Sequence, residues 1–275
     1  MSHYTVAVFT KPGGKSVDEL LAPFDENIQV APYVRETKAE IIAKAREKCD
    51  KLIKDMKTYA EADNTEELNA YWLESEHINP PRLRKYWAEI LNYQHMTDEQ
   101  VYAANVDEDE DYNENGDRLS TYNPNSKWDW YSEGGRWSGL LRIKSGEKVD
   151  TALVKEIDFS PDPKEYEYLK HWYEVIVEGK PMNAGDDPDD FKELFGKEYY
   201  IERYKDADDY ATKETAFHTF ALLTPEGVWH EPGQMGWFAC DDSTPESQAD
   251  YDKFFDEFIK NADPELSLTI IDCHI

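Results

Sequence analysis

The stretch YTVAVF at residues 4–9 decides the fold. Its residues are β-branched, aromatic or small and apolar, and the turn-forming KPGG follows at residues 11–14. Such a run, ended by Pro and Gly, predicts a β-strand. The chain closes on a second apolar run, LSLTIIDCH at residues 266–274. Because both runs are largely apolar on both faces, we expect the first and last strands to lie side by side at the centre of one sheet.

Helices are predicted between these two strands. The capping box TKAE at residues 37–40 opens a long helix that continues to about residue 62. Shorter helices are expected at residues 65–75 and 81–93, and a second capping box, TDEQ, opens another at residues 97–100. The resulting helical block is expected to be an insertion that covers residues 36–106.

The second half of the chain mixes short strands with helices. Strands are predicted at 137–144, 152–159 and 215–224, and helices at 163–177, 198–210 and from Pro245 to about residue 261. A three-residue hairpin loop is predicted at 225–227. This order predicts a single α+β domain over residues 1–275, with a mainly antiparallel, ferredoxin-like sheet that carries the helical insertion.

The composition excludes several classes of protein. The 275 residues include 30 Lys+Arg and 59 Asp+Glu, a net charge of −29, while aromatic residues make up 13%. That aromatic content indicates a folded chain, and the negative charge argues against direct binding to nucleic acid or to an anionic membrane. The sequence shows no signal peptide and no apolar run of about 20 residues, and its three cysteines are widely spaced. We therefore expect a cytoplasmic protein without disulfides.

The acidity is unevenly distributed. Residues 1–60 carry a balance of +1 and residues 61–275 one of −30. The densest run, DEDEDYNENGD at residues 107–117, is interrupted by Asn and Gly and is typical of a solvated loop. Its DYNENGD part matches the first half of an EF-hand loop, but the twelfth position is Tyr122 instead of Glu. We therefore predict no calcium site, and we predict no other metal, cofactor or catalytic residue.

A tryptophan-rich stretch, NPNSKWDWYSEGGRWSGLL, occupies residues 123–141. Trp128, Trp130 and Trp137 surround a diglycine that is followed by Arg136. So many large aromatics must bury much of their area, which favours either a corner of the core or a groove for a ligand or partner. Arg136 is expected to stack on a Trp ring and to pair with Asp129 or Glu133.

With this stretch and four others, the chain resembles a family of proteins carried by phages and conjugative elements of bacteria. The other segments are MSHYTVAVFT at 1–10, LLAPFDEN at 20–27, LLTPEGVWHEPGQMGWF at 222–238 and IIDCHI at 270–275. The resemblance covers most of the chain outside residues 36–106. It implies a mobile-element origin and a sheet similar to plasmid-borne ferredoxin-like domains, and it implies no reaction and no catalytic residues.

The first functional hypothesis is an acidic interaction protein. Such a protein would bind and inhibit a host defence protein or nucleic-acid-acting enzyme, by presenting an acidic face that mimics nucleic acid. The residues predicted to bind that partner are Asp107, Glu108, Asp109, Glu110, Asp111, Trp128, Trp130, Arg136 and Trp137.

Two alternatives remain open. One is an enzyme or binding protein for a nucleotide or sugar, with a cleft that joins Trp128, Trp130, Arg136 and His230. As a general base, His230 would need a positioned partner. His218 is expected to face His230 across the hairpin. The other alternative is a homo-oligomer that assembles through the near-neutral helical block.

Overall fold

The computed structural model describes residues 2–61, 89–193, 195–236, 238 and 240–275, without the side chains of residues 55–61. The chain divides into two compact units. The first, called here the sheet unit, comprises residues 1–27 and 123–275, and the second, the helical unit, comprises residues 28–122. The predicted insertion at residues 36–106 falls within the helical unit, and the single-domain organisation stays a prediction.

The described strands are short except for the first and the last. In chain order they are β1 His3–Thr10, β2 Tyr33–Glu36, β3 Arg118–Ser120, β4 Trp130–Glu133, β5 Leu141–Arg142, β6 Lys148–Val149, β7 Thr151–Leu153, β8 Ala221–Leu223, β9 Trp229–His230 and β10 Ser267–His274.

The described helices follow the capping signals of the sequence. In chain order they are α1 Val17–Leu21, α2 Lys38–Glu61, α3 Asp98–Asn105, α4 Pro163–Ile176, α5 Lys197–Arg203, α6 Ala207–Glu214 and α7 Pro245–Asn261. The capping boxes at Thr37 and Thr97 are confirmed, because each hydroxyl accepts from the backbone N–H three residues later. Thr244 caps α7 in the same way, with Pro245 in its first turn.

The sheet unit contains a six-stranded sheet. Its strand order is β4-β10-β1-β8-β9, and β7 pairs with the beginning of β10. β1 and β10 pair antiparallel over their full lengths, from His3 opposite His274 to Thr10 opposite Ser267. The predicted central pairing of the first and last strands is therefore confirmed.

The sheet is mixed. β1 and β8 pair parallel, with Val6 opposite Ala221, whereas the other pairs in this sheet are antiparallel. The α+β class is confirmed. A split βαβ unit, the mark of a ferredoxin-like sheet, would place another strand between β1 and β8. The direct pairing of these strands leaves the ferredoxin-like topology unconfirmed.

Both faces of the central strands are buried. On one face Tyr4, Val6 and Val8 pack with Leu20 and Leu21 of α1. On the other face Ala7, Phe9, Leu222, Leu268 and Ile270 pack with Tyr251 and Phe255 of α7. Side chains alternate between the faces of a strand, so a strand covered on both sides reads as one apolar run. This arrangement explains why β1 and β10 were recognisable from the sequence.

Several predicted elements are shorter than expected. The strands expected at 137–144 and 152–159 are reduced to β5 and β7, because 3₁₀ turns form at Gly135–Trp137 and Val154–Glu156. The helix expected at 198–210 is two helices, since the Asp206 side chain accepts from Asp209 N–H and starts α6 there. In the predicted strand at 215–224 only β8 forms, whereas the hairpin loop that follows it is confirmed, with Gly227 at φ +86°.

The helical unit has its own core. Ala45 and Cys49 of α2 pack on Ile90, Tyr93 and Val101. The Arg46 guanidinium donates to the carbonyls of Tyr93 and Met96, and it pairs with Asp98, which fixes the turn before α3. The predicted helix at residues 65–75 lies outside the described residues, and of that at 81–93 only residues 89–92 are described as helical.

Over the described ranges, none of the helices has the length and apolar character that crossing a membrane requires.

Candidate functional site

Trp128 lies in the core of the sheet unit. Only 7% of its surface is exposed, and its indole N–H donates to the carbonyl of Leu21 at 3.2 Å. Its ring meets that of Tyr131 edge to face, with centroids 4.9 Å apart. Trp128 therefore agrees with the first interpretation of the Trp-rich stretch, a corner of the core, and not with a groove for a ligand or partner.

The other members of the predicted set are placed differently. Trp130 is 45% exposed and stacks on His274, with ring centroids 5.0 Å apart. Trp137 is half-buried against the core on the α7 side of the sheet. Arg136 is exposed, and within the described residues no ion pair joins its guanidinium to Asp129 or Glu133. The Trp-rich stretch thus divides into a buried part and an exposed part.

The diglycine is required by the carboxylates packed against it. Gly134 and Gly135 have φ angles of +66° and +52°. A Cβ on Gly135 would lie 2.4 Å from the Cβ and Oδ2 of Asp272, and one on Gly134 would lie 2.4–2.7 Å from the Asp150 carboxylate. The Arg136 backbone N–H, in turn, donates to Asp272 Oδ2 at 2.9 Å. The turn at Gly134–Arg136 is therefore fitted onto Asp272.

Asp272 belongs to a group of four residues that we call the Asp–His cluster: His3, Asp129, Asp272 and His274. His3 Nδ1 lies 2.8 Å from Asp272 Oδ1, and His274 Nδ1 lies 2.6 Å from Asp129 Oδ1. The two imidazole rings meet edge to face with centroids 5.0 Å apart. A carboxylate beside one ring nitrogen fixes the tautomer and the ring orientation, which leaves the other nitrogen for chemistry.

Strand register produces this cluster. His3 lies opposite His274, and His274 lies opposite Trp130 on the other side of β10. Residues two apart in a strand share a face, which places Asp272 beside His274 on that face. The cluster therefore joins the segments MSH, WDW and DCH, which lie in the first, middle and last parts of the chain.

Sequence reasoning missed these residues because it treated the histidines as single and scattered. Each cluster histidine has its acidic partner far away in sequence, 269 positions for His3 and 145 for His274. One signal was present: His and Asp stand two positions apart in the otherwise apolar strand β10. The four residues come together only because β10 pairs with β1 on one side and with β4 on the other.

The predicted acidic site lies in the other unit. Asp107, Glu108, Asp109 and Asp111 are exposed and Glu110 is half-buried. No cation of the described residues forms an ion pair with any of these five. The structure thus assigns this run to the helical unit and the Trp-rich stretch to the sheet unit.

The acidic loop that follows has a structural role. Asn113 Oδ1 accepts from the backbone N–H groups of Asn115 and Asp117, both at 2.9 Å. Asp117 Oδ1 accepts from the Lys38 N–H at the start of α2, and this bond lowers the pKa of Asp117. Across the described part of the chain, no group of three or more His, Cys, Asp or Glu side chains is placed to hold a metal ion.

A cleft of about 970 Å³ lies in the sheet unit beside the edge strand β9, and we call it the aromatic cleft. Phe24 and Trp229 form one aromatic pair, with ring centroids 4.9 Å apart. His230 and Phe254 form a second pair, stacked at 4.0 Å. The lining also includes Pro124, Asn125, Lys127, Val228, Glu231, Ser247, Asp250 and Tyr251.

One internal ion pair dominates the polar part of the aromatic cleft. Lys127 Nζ pairs with Glu231 Oε1, and the Trp229 indole N–H donates to Glu231 Oε2 at 2.8 Å. Burial lowers the pKa of His230 below its ordinary value. His230 has no hydrogen-bond partner among the described residues, so it lacks the group that would position it as a general base.

The expected pairing of His230 with His218 is wrong. His230 lies opposite Leu222 in the hairpin, whereas His218 precedes β8 and bonds to Asp256 of α7 at 3.1 Å. The strand is shorter than predicted, so its register cannot bring these two rings together.

Arg136 and Trp137 line a different, smaller cleft of about 470 Å³. It also contains Arg142, whose guanidinium pairs with Asp158 at 2.9 Å. The predicted cleft that joins Trp128, Trp130, Arg136 and His230 is not formed among the described residues: His230 lines the aromatic cleft with Trp229, Arg136 lines the smaller cleft, and neither lining includes Trp128 or Trp130.

Comparison of the chain with models of protein families, with curated proteins and with solved structures finds no match. The resemblance to a mobile-element family stays a prediction from the sequence.

Proposed function

We propose that the protein binds a small, uncharged ligand with a flat ring, of the nucleoside class, in the aromatic cleft. The observation that supports this proposal is the pair of ring contacts, Phe24 with Trp229 and His230 with Phe254, that face the same 970 Å³ space. Small-molecule sites usually occupy about 300–1,000 Å³ and combine apolar walls with a few fixed polar groups.

The charges of the cleft select against phosphate. Among the described residues, Lys127 is the one basic side chain in the lining apart from His230, and it is already paired with Glu231. Asp250 adds an exposed carboxylate, and the whole chain carries −29. A phosphorylated ligand would therefore meet repulsion without a free cation to offset it. The charges of the cleft therefore favour a nucleoside over a nucleotide, and a neutral sugar is the second ligand to test.

Binding is favoured over catalysis. Two titratable groups of the lining have shifted pKa values, and burial is the main cause of both: the pKa of His230 is lowered and that of Tyr251 is raised. Glu231, the neighbour of His230, is held by Lys127 and Trp229 on both carboxylate oxygens. With Glu231 occupied and His230 lacking a positioned partner among the described residues, the cleft offers stacking surfaces and a fixed polar edge.

Calorimetric titration with nucleosides, the matching 5′-monophosphates and neutral methyl glycosides tests this proposal. We expect at least one nucleoside to bind, its monophosphate to bind at least 10-fold more weakly, and Trp229→Ala to abolish binding. Trp130→Ala, which removes an exposed indole outside the cleft, is the matched control and should leave affinity unchanged. If Trp229→Ala does not fold, His230→Leu takes its place, because it removes the ring that stacks on Phe254 in the same cleft. The proposal is contradicted if none of these compounds binds, or if the two tryptophan variants bind the ligand equally well.

The exposed acidic run supports a second candidate function. An acidic mobile-element protein in the host cytoplasm would bind and inhibit a defence or nucleic-acid-acting enzyme, with Asp107, Glu108 and Asp109 at the contact. These carboxylates have no cationic partner within the described residues, so they are available to a basic surface. Attraction of this kind accelerates association and is weakened by salt.

A pull-down from bacterial lysate, repeated at low and high salt, tests this second function. We expect one nucleic-acid-acting or defence enzyme to be retained at low salt and released at high salt. Neutralising Asp107, Glu108, Asp109 and Glu110 together should slow binding and flatten its salt dependence, whereas neutralising Asp187, Asp189, Asp190 and Glu193 should not. Equal effects of the two variants would exclude the first run as the contact.

A further inference from the structure

We propose that His3 and His274 form a binding site for a divalent transition metal ion such as Zn²⁺. The two Nε2 atoms are the ligands, and Asp272 and Asp129 hold the rings from behind. This site is separate from the aromatic cleft, and it goes beyond the ligand binding proposed above.

Each imidazole of the proposed site is held by its own carboxylate. Each imidazole has its Nδ1 within hydrogen-bond distance of a different aspartate, at 2.8 Å for His3 and 2.6 Å for His274. Histidines that bind metals nearly always donate their other ring N–H to a carboxylate, a carbonyl or a water, which raises the basicity of the coordinating nitrogen. Two such pairs side by side provide two prepared ligands.

The other nitrogen of each ring, Nε2, is left to coordinate the metal ion. Neither Nε2 has a hydrogen-bond partner among the described residues, although His274 is only 5% exposed. A fully buried side-chain nitrogen or oxygen without a hydrogen-bond partner occurs among the described residues only at Arg142 Nε. The two Nε2 atoms have no partner among these residues either, so they cannot be fully buried. Both Nε2 atoms therefore reach solvent, and a nearly buried histidine presents an open nitrogen at the surface.

The ring spacing agrees with joint coordination. The centroids of His3 and His274 are 5.0 Å apart and their planes are inclined at 73°. Two imidazoles that coordinate one tetrahedral ion through Nε2, with metal–nitrogen distances of about 2.0–2.1 Å, have centroids about 5 Å apart. The observed centroid spacing is thus the one that joint coordination requires.

Charge favours a cation over an oxyanion at this place. The cluster contains two aspartates, and the chain as a whole carries −29. An anion bound by the two histidines would lie close to both carboxylates, whereas a metal ion is attracted by them. Imidazole nitrogens suit zinc, copper, iron and nickel, in contrast to the oxygen ligands preferred by Mg²⁺ and Ca²⁺.

The site is open. Since no third His, Cys, Asp or Glu of the described residues completes a set, two tetrahedral positions fall to water or to a small ligand. Catalytic zinc sites have three protein ligands and structural sites have four, so we expect this two-ligand site to bind Zn²⁺ more weakly than either. Trp130, stacked on His274 and 45% exposed, borders this site.

Metal titration of the full chain, stripped with EDTA, tests the proposal. We expect one equivalent of Zn²⁺ to bind by calorimetry, and Co²⁺ to give visible absorption that Zn²⁺ displaces. His3→Gln and His274→Gln should each weaken Zn²⁺ binding at least 10-fold, and Asp129→Asn about 10- to 100-fold. His230→Gln, in the aromatic cleft, is the matched control and should change nothing.

Two further readouts keep the test decisive. The ¹⁵N signals of the histidine rings should show Zn²⁺ shifting the Nε2 atoms of His3 and His274 in the wild-type chain, so a variant that fails to fold does not end the experiment. Inorganic phosphate should cause no such shift. Absence of Zn²⁺ binding, wild-type Zn²⁺ affinity in His3→Gln and His274→Gln, or phosphate binding at these nitrogens would overturn the proposal.

Discussion

His3 Nδ1 lies 2.8 Å from Asp272 Oδ1, and this contact joins residues 269 positions apart. It forms on the central strand pair, where β1 and β10 are antiparallel. Asp272 is only 2% exposed. A polar contact buried in this way stabilises the sheet only while both partners remain in place. The ends of the chain are thus tied together by the same residues that we assign to the metal site.

The turn on Asp272 should tolerate no side chain at Gly135. We predict that Gly135→Ala lowers the free energy of unfolding by about 2 kcal/mol more than Gly146→Ala, measured by urea denaturation. Both glycines have positive φ angles, but a Cβ at Gly146 meets nothing within 4 Å, whereas one at Gly135 lies 2.4 Å from Asp272. Equal losses in the two variants would show that the turn is not fitted to the carboxylate.

The buried and exposed tryptophans of residues 123–141 should respond differently to truncation. Trp128→Ala is expected to cost about 3–5 kcal/mol of stability, because it opens a cavity in the core and leaves the Leu21 carbonyl without its donor. Trp130→Ala should cost about 1 kcal/mol, since its indole is 45% exposed. Thermal and urea unfolding of both variants would measure this. A small effect at Trp128 would contradict its place in the core.

His230 should make stability depend on pH in a defined direction. Because burial lowers the pKa of His230 in the folded chain, the unfolded chain takes up a proton first as the pH falls below about 6.5. The contribution of the neutral ring is therefore fully present above that pH and is lost as the pH falls through the folded pKa. Comparing the melting temperatures of wild type and His230→Gln at pH 7.5 and pH 5.5 isolates this residue. Identical pH slopes would contradict the prediction.

The fold was predictable where burial imposes a pattern on the sequence. β1 and β10 are covered on both faces, so their apolar runs gave their existence and their central place. The helix starts at Thr37, Thr97 and Thr244 were predictable because capping is a local interaction between residues three apart. Strands such as β5 and β7 span only two or three residues, so their length depends on pairing that no local pattern records.

The candidate sites depend on long-range contacts, and the sequence could not supply these. Trp229 and His230 were recognisable as unusual residues beside a hairpin, but their partners Phe24 and Phe254 come from distant elements. The partners predicted for Arg136 were its sequence neighbours Asp129 and Glu133, and these carboxylates bond instead to His274 and Thr151. Proximity in sequence misled the assignment, because β4 ends at Glu133 and Arg136 lies in the 3₁₀ turn that follows it.

The central claim, that the aromatic cleft binds a flat uncharged ring, is tested most directly by ¹⁹F NMR of the chain labelled with 5-fluorotryptophan. The Trp229 resonance, assigned with Trp229→Phe, should shift on addition of a nucleoside, while those of Trp128 and Trp130 stay in place. Unchanged Trp229 signals across nucleosides and neutral glycosides, or equal shifts at Trp130, would contradict the claim.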